Sequence, residues 1–357
     1  MVGSDRPTLS HIRPVDVGVL GATGVVGQQF VARLAGHPWF RVRWLAASER
    51  SEGQTYATAA PWRLAQPIPD GLGALIVEGC RPGRAPKLLF SALDASVAGD
   101  IERSFAAAGH IVVSNARNYR MDPLVPLLIP EVNAAHLSLV HEQRHHGRWP
   151  GALVTNPNCS TVVLAMALAP LRTFGLRRVV VSTMQAVSGA GYPGVPSLDI
   201  LGNVVPFISG EEEKIESETL KILGPDDGRT PHPAVISAHT NRVPVVDGHT
   251  ITVSVDFDER PSPEQVIEAL VAFRGRPQEL QLPSAPLPPI VVLTEPNRPQ
   301  PRLDADRGGA MAITVGRVRP CPVMTTRFVA LGHNTVRGAA GAAILNAELM
   351  AAEGLLE

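Results

Sequence analysis

Val15-Asp16-Val17-Gly18-Val19-Leu20 runs directly into Gly21-Ala22-Thr23-Gly24-Val25-Val26-Gly27, and an apolar pattern through Phe30, Val31 and Leu34 follows. The first stretch reads as a short buried strand, and the spacing of the later apolar residues reads as a helix. Glycines at 21, 24 and 27 allow a tight turn between them, close approach of a ligand to the backbone, and close packing of helix on strand. A strand, a glycine turn and a helix start in this order leave free N–H groups where a pyrophosphate can sit. Gly21, Thr23, Gly24, Val25 and Val26 are therefore expected to contact a dinucleotide.

The same alternation continues downstream. Val42 to Ala47 reads as a second strand and ends in Ser48-Glu49-Arg50-Ser51. An acidic residue at that strand end holds the free ribose 2′-OH of NAD, whereas Ser and Arg suit a 2′-phosphate. Ser48, Arg50 and Ser51 thus point to NADP, with the discordant Glu49 expected to face solvent. Leu88 to Ala92 is a strand whose end, at Ser91, should lie beside the cofactor; Val97 to Ala108 is a helix and His110 to Asn115 another strand. Such a succession implies a parallel, doubly wound sheet with ligands at the carboxyl ends of its strands. Arg117 and Arg120 lie just beyond one such end, and Arg120 is placed for an anion.

The chain has 357 residues, enough for two domains, and its 45% apolar and 18% charged composition is that of a soluble globular protein. A net charge of −1 gives no general attraction for nucleic acid or an anionic membrane, so a small charged metabolite is the expected ligand. Cys80, Cys159 and Cys321 are too few and too scattered for a disulfide framework or zinc knuckle, and fit a reducing compartment. Met1 to Asp16 holds no apolar leader, and no run approaches the roughly 20 apolar residues of a membrane span. A cytoplasmic protein is expected. The polar stretch His136 to Pro150 carries His141, His145 and His146 without a matching carboxylate or cysteine cluster, so no metal is expected and the stretch reads as an exposed helix end and loop.

Beyond residue 150, Ala152 to Thr155 is strand-like, Asn156-Pro157-Asn158 breaks it, and Ser160-Thr161 opens an apolar helical run from Val162 to Leu171. Cys159 thus faces the first free N–H groups of a helix, whose positive end favours the nucleophilic thiolate. Arg178 onward reads as a strand opening into a glycine-bearing loop, with Gln185 able to bond a substrate. Glu211 and Lys214 fall one turn apart on an acidic helix starting at Gly210, a pair able to take the ammonium and an anion of a zwitterion. Arg242 suits a carboxylate and His249 suits proton transfer. Pro277 to Pro301 reads as a surface connection. Gly332 to Asn346 reads as a long, small-residue helix that returns to the nucleotide domain and places Asn334 over the cofactor.

With these residues in place the chain closely resembles the aspartate-β-semialdehyde dehydrogenase family, in its archaeal and fungal branch. The resemblance runs from about Val15 to the C-terminus. It is carried by GATGVVG, ASERS, SNARNYRMDP, PEVN, TNPNCST, QAVSGAGYPG, GEEEKIESETLKILG, NRVPVVDGH, RPQPRLD and GHNTVRGAAGAAILNAEL, ten motifs in family order. It implies a Rossmann-type domain over residues 1–155, an α+β catalytic and oligomerisation domain over 156–331, and a C-terminal segment, 332–357, packed on the first domain. It implies Cys159 as nucleophile, His249 as acid/base catalyst, Arg242 on the substrate carboxylate and Glu211 on its ammonium. Gln185 and Asn158 would orient the acyl group, Arg120 and Lys214 would hold phosphate, and Gly189 would join the NADP contacts. The implied reaction is reversible NADPH-dependent conversion of L-aspartyl 4-phosphate to L-aspartate 4-semialdehyde by a homodimer or homotetramer. The competing readings are malonyl-CoA reductase, which looks like a close relative needing coenzyme A and no ammonium partner, and a catalytically silent NADP-binding protein.

Overall fold

The computed structural model describes residues 14–146 and 148–356. The ends of the expected first and last segments, and Gly147 of the polar loop, lie outside these. Strands β1 (Val15–Leu20), β2 (Phe40–Ala47), β3 (Val77–Gly79), β4 (Leu88–Ser91), β5 (Ile111–Ser114) and β6 (Ala152–Thr155) form one sheet in the order β3-β2-β1-β4-β5-β6. Every pairing in it is parallel. Strand order reverses between β1 and β4, which is where a doubly wound sheet binds its ligand. Helix α1 (Val25–Leu34) leaves the glycine turn at that point, and α2 (Ala95–Ala107) links β4 to β5. β4, β5 and β6 are buried along their whole length, as in a sheet covered on both faces.

After β6 comes a short helix, α4 (Cys159–Leu168), preceded in the β5–β6 connection by α3 (Ser138–His145). Every residue of α4 after Cys159 is buried, because the helix is apolar all round and lies between the two halves of the molecule. The second sheet contains β7 (Leu176–Gln185), β8 (Val235–Arg242), β9 (His249–Phe257), β10 (Ile290–Leu293), β11 (Ile313–Pro320) and β12 (Thr326–Gly332), ordered β10-β11-β12-β9-β7-β8. Helices α4, α5 (Glu211–Leu223) and α6 (Pro263–Ala272) pack on this sheet. Its other face is open: Val180, Val235 and His239 are exposed in strands whose alternate residues are buried.

Register decides where the chemistry lies. β7 and β8 run parallel with Gln185 opposite Arg242, and β9 runs antiparallel to β7 with Met184 opposite Thr250. The end of β7, the end of β8 and the start of β9 therefore share one sheet edge, which carries Gln185, Arg242 and His249. The chain then closes through a widened helical turn, Val336–Ala340, and α7 (Gly341–Ala352), which packs against α1 and β5 and shares their core.

Two segments differ from their sequence reading. Ile290–Leu293, within the proline-rich stretch read as a surface connection, is an edge strand parallel to β11. Prolines flank it on both sides, and an edge position needs ladder bonds on one side only. The run read as one helix from Gly332 begins helical structure only at Val336, so Asn334 belongs to the bend after β12. Within 136–150, His141, His145 and His146 are exposed, whereas His136 is buried against Asn133 and the Pro225 carbonyl. Among the described residues no helix is long and apolar enough to cross a membrane, and no side-chain cluster is set to hold a metal ion.

Candidate active site

Asn158 caps α4: its Oδ1 accepts the Ser160 and Thr161 N–H groups at 2.9 and 3.2 Å. Its own N–H donates to Glu218 at 2.6 Å and its amide donates to Glu211 at 2.8 Å. The residue expected to orient an acyl group is thus also the brace of the helix start. Cys159 follows as the first helical residue, with partial solvent access, and its Sγ lies 3.1 Å from His249 Nε2. On the far side stands Gly338, where an added Cβ would come within 2.6 Å of the Cys159 Cβ and 3.0 Å of its Cα. Only glycine fits there.

The protonation of this pair follows from its surroundings. His249 is fully buried, and its Nδ1 faces the Ala186 N–H at 3.1 Å. A backbone N–H can only donate, so Nδ1 accepts and the ring proton sits on Nε2, aimed at the sulfur. Burial, with Arg242 and His333 nearby, pushes the imidazolium pKa down to about 3, so the ring is neutral at ordinary pH. Burial and the Glu211 carboxylate push the Cys159 thiol up to about 12, against the pull of Arg120 and Arg242. Burial and Glu211 thus act against the helix end's preference for a thiolate. Two of the first N–H groups of α4 are spent on Asn158, and burial acts on whatever charge remains.

Around the pair lies a ring of charge. Glu211 accepts from Lys214 at 2.7 Å and Asn158 at 2.8 Å, with Gln185 at 3.4 Å. Burial alone would raise its pKa, but these donors outweigh it and hold the carboxylate below its ordinary value. Arg242 is buried and donates to the Ala186 carbonyl at 2.8 Å. Arg120 donates to Glu218 at 2.9 Å and to the Asn115 carbonyl at 2.7 Å, leaving its Nε without a protein partner. Beneath it, the Lys221 ammonium holds the carbonyls of Arg120, Asp122 and Val125 at 2.7, 2.8 and 3.0 Å.

The nucleotide side fits a dinucleotide on geometry. Gly21 is left-handed at φ +72, and a Cβ at Gly27 would lie 2.2 Å from the Gly21 carbonyl oxygen, so neither tolerates a side chain. Gly24 caps α1 without a side chain and no acidic residue stands in its first turn, so the first N–H groups are left for phosphate. Thr23, Val25 and Val26 are partly exposed there, and a cleft of about 360 Å³ runs from Val25 to Ser188, Tyr192 and Val246. Ser48, Glu49 and Arg50 are exposed beyond the end of β2, with Ser51 bonded back to the Ser48 carbonyl. Ser91, at the end of β4, is fully buried with a hydroxyl that finds no protein partner. Gly189 lies beside Arg242 and His249: a Cβ there would sit 3.0 Å from Arg242 Nη1 and from His249 Cε1.

A family model described as the semialdehyde dehydrogenase NAD binding domain matches residues 16–140, and one described as the semialdehyde dehydrogenase dimerisation domain matches 168–337. An aspartate-semialdehyde dehydrogenase of Archaeoglobus fulgidus is 51% identical over 95% of this chain and 99% of its own length. The chain belongs to the aspartate-semialdehyde dehydrogenase family. An aspartate-semialdehyde dehydrogenase of Methanothermobacter thermautotrophicus is 52% identical, covering 94% of this chain and 99% of the relative. Among solved structures, the aspartate semialdehyde dehydrogenase of Candida albicans with NADP superimposes with a TM-score of 0.88 at 43% identity, over 96% of this chain and 99% of that one.

Seen as an aspartate-semialdehyde dehydrogenase family member, the chain holds several site residues that its sequence reading did not single out. Glu218 lies two turns after Glu211 on the same helix, a spacing that could have placed both on one face. Gly338, Lys221 and the Ala186 backbone act through contacts between distant segments, and no local pattern announces them.

Proposed function

We propose that the protein catalyses the reversible, NADPH-dependent reductive dephosphorylation of L-aspartyl 4-phosphate to L-aspartate 4-semialdehyde. Such a step serves the biosynthesis of lysine, threonine, methionine and diaminopimelate. The observation that carries the reading is a cysteine at a helix start, 3.1 Å from a buried neutral histidine, beside both Arg242 and Glu211. An arginine and a carboxylate together hold the carboxylate and ammonium of an amino acid, whereas a malonyl thioester brings no ammonium for Glu211 to meet. The glycine turn, with Ser48, Arg50, Ser51, Ser91 and Asn334, would hold the nucleotide. When bound, NADPH supplies the hydride that reduces the thioester.

Each chain residue then has a defined task. Arg242 and Glu211 fix the substrate's ends, while Gln185 and Asn158 orient the acyl carbonyl. Cys159 sulfur attacks that carbonyl, the bond to phosphate oxygen breaks, and the thiol proton leaves with the phosphate, whose charge Arg120 and Lys214 meet. As the carbon–sulfur bond later breaks, His249 Nε2–H hydrogen-bonds to the sulfur while negative charge grows on it. The open face of the second sheet is the surface we assign to a homodimer, or to one interface of a homotetramer, and the setting we assign is the cytoplasm.

The test follows NADPH formation with L-aspartate semialdehyde and phosphate, against malonate semialdehyde with coenzyme A. Phosphate-dependent turnover of the aspartyl substrate is expected. Activity with the malonyl pair alone would move the protein to the reductase, and none with either would leave a nucleotide-binding protein without catalysis. Replacing Arg50 with Glu is expected to raise KM for NADPH by about tenfold or more while leaving KM for the semialdehyde within about twofold. Equal effects on both constants would count against a 2′-phosphate contact at Arg50.

A further inference from the structure

Glu218 has no task in the steps above, yet it is 2% exposed and bonds two of the residues that do. Its Oε1 accepts from Arg120 Nη1 at 2.9 Å and its Oε2 accepts the Asn158 N–H at 2.6 Å. Three distant segments meet on this one carboxylate: the loop after β5 with Arg120, the turn after β6 with Asn158 and Cys159, and α5. Arg120 is also held by the Asn115 carbonyl on Nη2 at 2.7 Å, and Lys221, one turn beyond Glu218, holds the Arg120 carbonyl at 2.7 Å. Each terminal nitrogen of the guanidinium has spent one N–H and keeps a second. A side chain pinned at both terminal nitrogens, on a backbone that is itself pinned, cannot swing.

We infer that Glu218 is a positioning residue for acyl transfer: by bonding Arg120 with one oxygen and the Asn158 peptide with the other, it fixes the distance between the phosphate site and Cys159. The inference rests on the reading of Arg120 as a phosphate contact and Cys159 as nucleophile. In an acyl phosphate the carbon that sulfur attacks is joined to phosphorus through a single oxygen, so sulfur and phosphate site must stand a set distance apart. A misplacement of about 1 Å costs on the order of 100-fold in rate. The charge of Glu218 works the other way, since a carboxylate beside Arg120 repels phosphate. What Glu218 contributes to the reaction is therefore geometry.

The experiment compares wild type with Glu218→Gln and Glu218→Asp. Gln keeps the length but turns an N–H₂ donor onto either Arg120 or Asn158, both of which donate. Asp keeps the charge and both acceptors but is one methylene too short to reach both partners. In either variant kcat for phosphate-dependent oxidation of the semialdehyde is expected to fall roughly 10- to 100-fold, with KM for NADP within about twofold. Either variant carries the test if the other does not fold. If Glu218 acted through its charge alone, Gln would lower KM for phosphate at unchanged kcat and Asp would match wild type, which overturns the inference. Loss of stability in urea with kcat unchanged overturns it too, leaving Glu218 a support of the fold only. A second readout needs no turnover: inorganic phosphate bound at Arg120 should shield Cys159 from iodoacetamide, with peptide mapping separating Cys159 from Cys80 and Cys321. In Glu218→Asp, whose charge is intact, the phosphate concentration for half-protection is expected to rise about tenfold. An unchanged value, or no protection in the wild type, overturns the inference. Wild type without phosphate-dependent turnover removes the proposed reaction, whereas wild-type turnover with unaltered variants removes only the role of Glu218.

Discussion

Replacing Cys159 with alanine is expected to lower phosphate-dependent turnover by a factor on the order of 10⁴ or more, as removal of a covalent nucleophile does. The sulfur is the one soft nucleophile among the groups gathered at the sheet edge, and no neighbour can replace it. His249 is held neutral with Nδ1 occupied by Ala186, Lys214 is held by Glu211, and Arg242 cannot deprotonate. The substitution removes one atom beside Gly338 and leaves the His249 Nε2–H without a partner, at a cost of about 1–3 kcal/mol. The variant should therefore fold, bind NADPH with nearly the wild-type constant, and fail only in acyl transfer. Retention of more than about one per cent of turnover would remove Cys159 from its role. A thiol pushed up to about 12 also has a thermodynamic consequence, with a definite sign. An unfolded cysteine ionises from about pH 8.5, whereas the folded one does not, so folding loses stability as pH rises from there toward 12. Cys159→Ala lacks that group, and its stability should fall less over the same alkaline range.

What the amino-acid sequence reveals divides along the range of the interactions. The strand into Gly21 and the turn into Cys159 are local: a few residues carry the break, the cap and the hydrophobic period, and both appear where expected. The curated relatives and the Candida albicans fold agree with the Rossmann-type reading and with NADP chemistry. The protonation state of Cys159 is of another kind. A helix start can be read from Asn158 to Thr161, but the burial that dominates the thiol comes from segments remote in sequence. Ile290–Leu293 was hidden for a related reason. Ile-Val-Val-Leu has the β-branched make-up of a strand, but four residues among prolines are a short signal, and it is pairing with β11 that orders them. Asn334 shows a third case, in which the residue stands in the expected part of the fold but its bonds run to Ser188 and Gly248.

Replacing Arg337 with leucine is expected to destabilise the protein by about 3–5 kcal/mol, because it breaks a buried ion pair from one side. Arg337 and Glu131 meet in a two-pronged contact at 2.8 and 2.7 Å, with side chains 1% and 0% exposed. Taking away the guanidinium strands the Glu131 carboxylate in a site that water does not reach, which costs more than the attraction itself is worth. The effect should also reach the nucleophile. Arg337 sits beside Gly338, which touches Cys159, and Ala339, whose carbonyl accepts from Asn156 at 2.8 Å. Asn156 in turn bonds Asn115 at 2.7 Å and Asn346 of α7, so one asparagine joins the ends of β5 and β6 to the C-terminal helix. A shift of the widened turn would carry Gly338 against or away from Cys159, and kcat should fall with stability. The control is the double variant Arg337→Leu, Glu131→Leu, which removes both charges together. In urea unfolding it should recover most of the stability lost by the single variant, since no unpaired charge remains. Single-variant losses below about 1 kcal/mol would instead make the pair equivalent to a surface contact. The small residues after Arg337 would then hold α7 in register by packing alone.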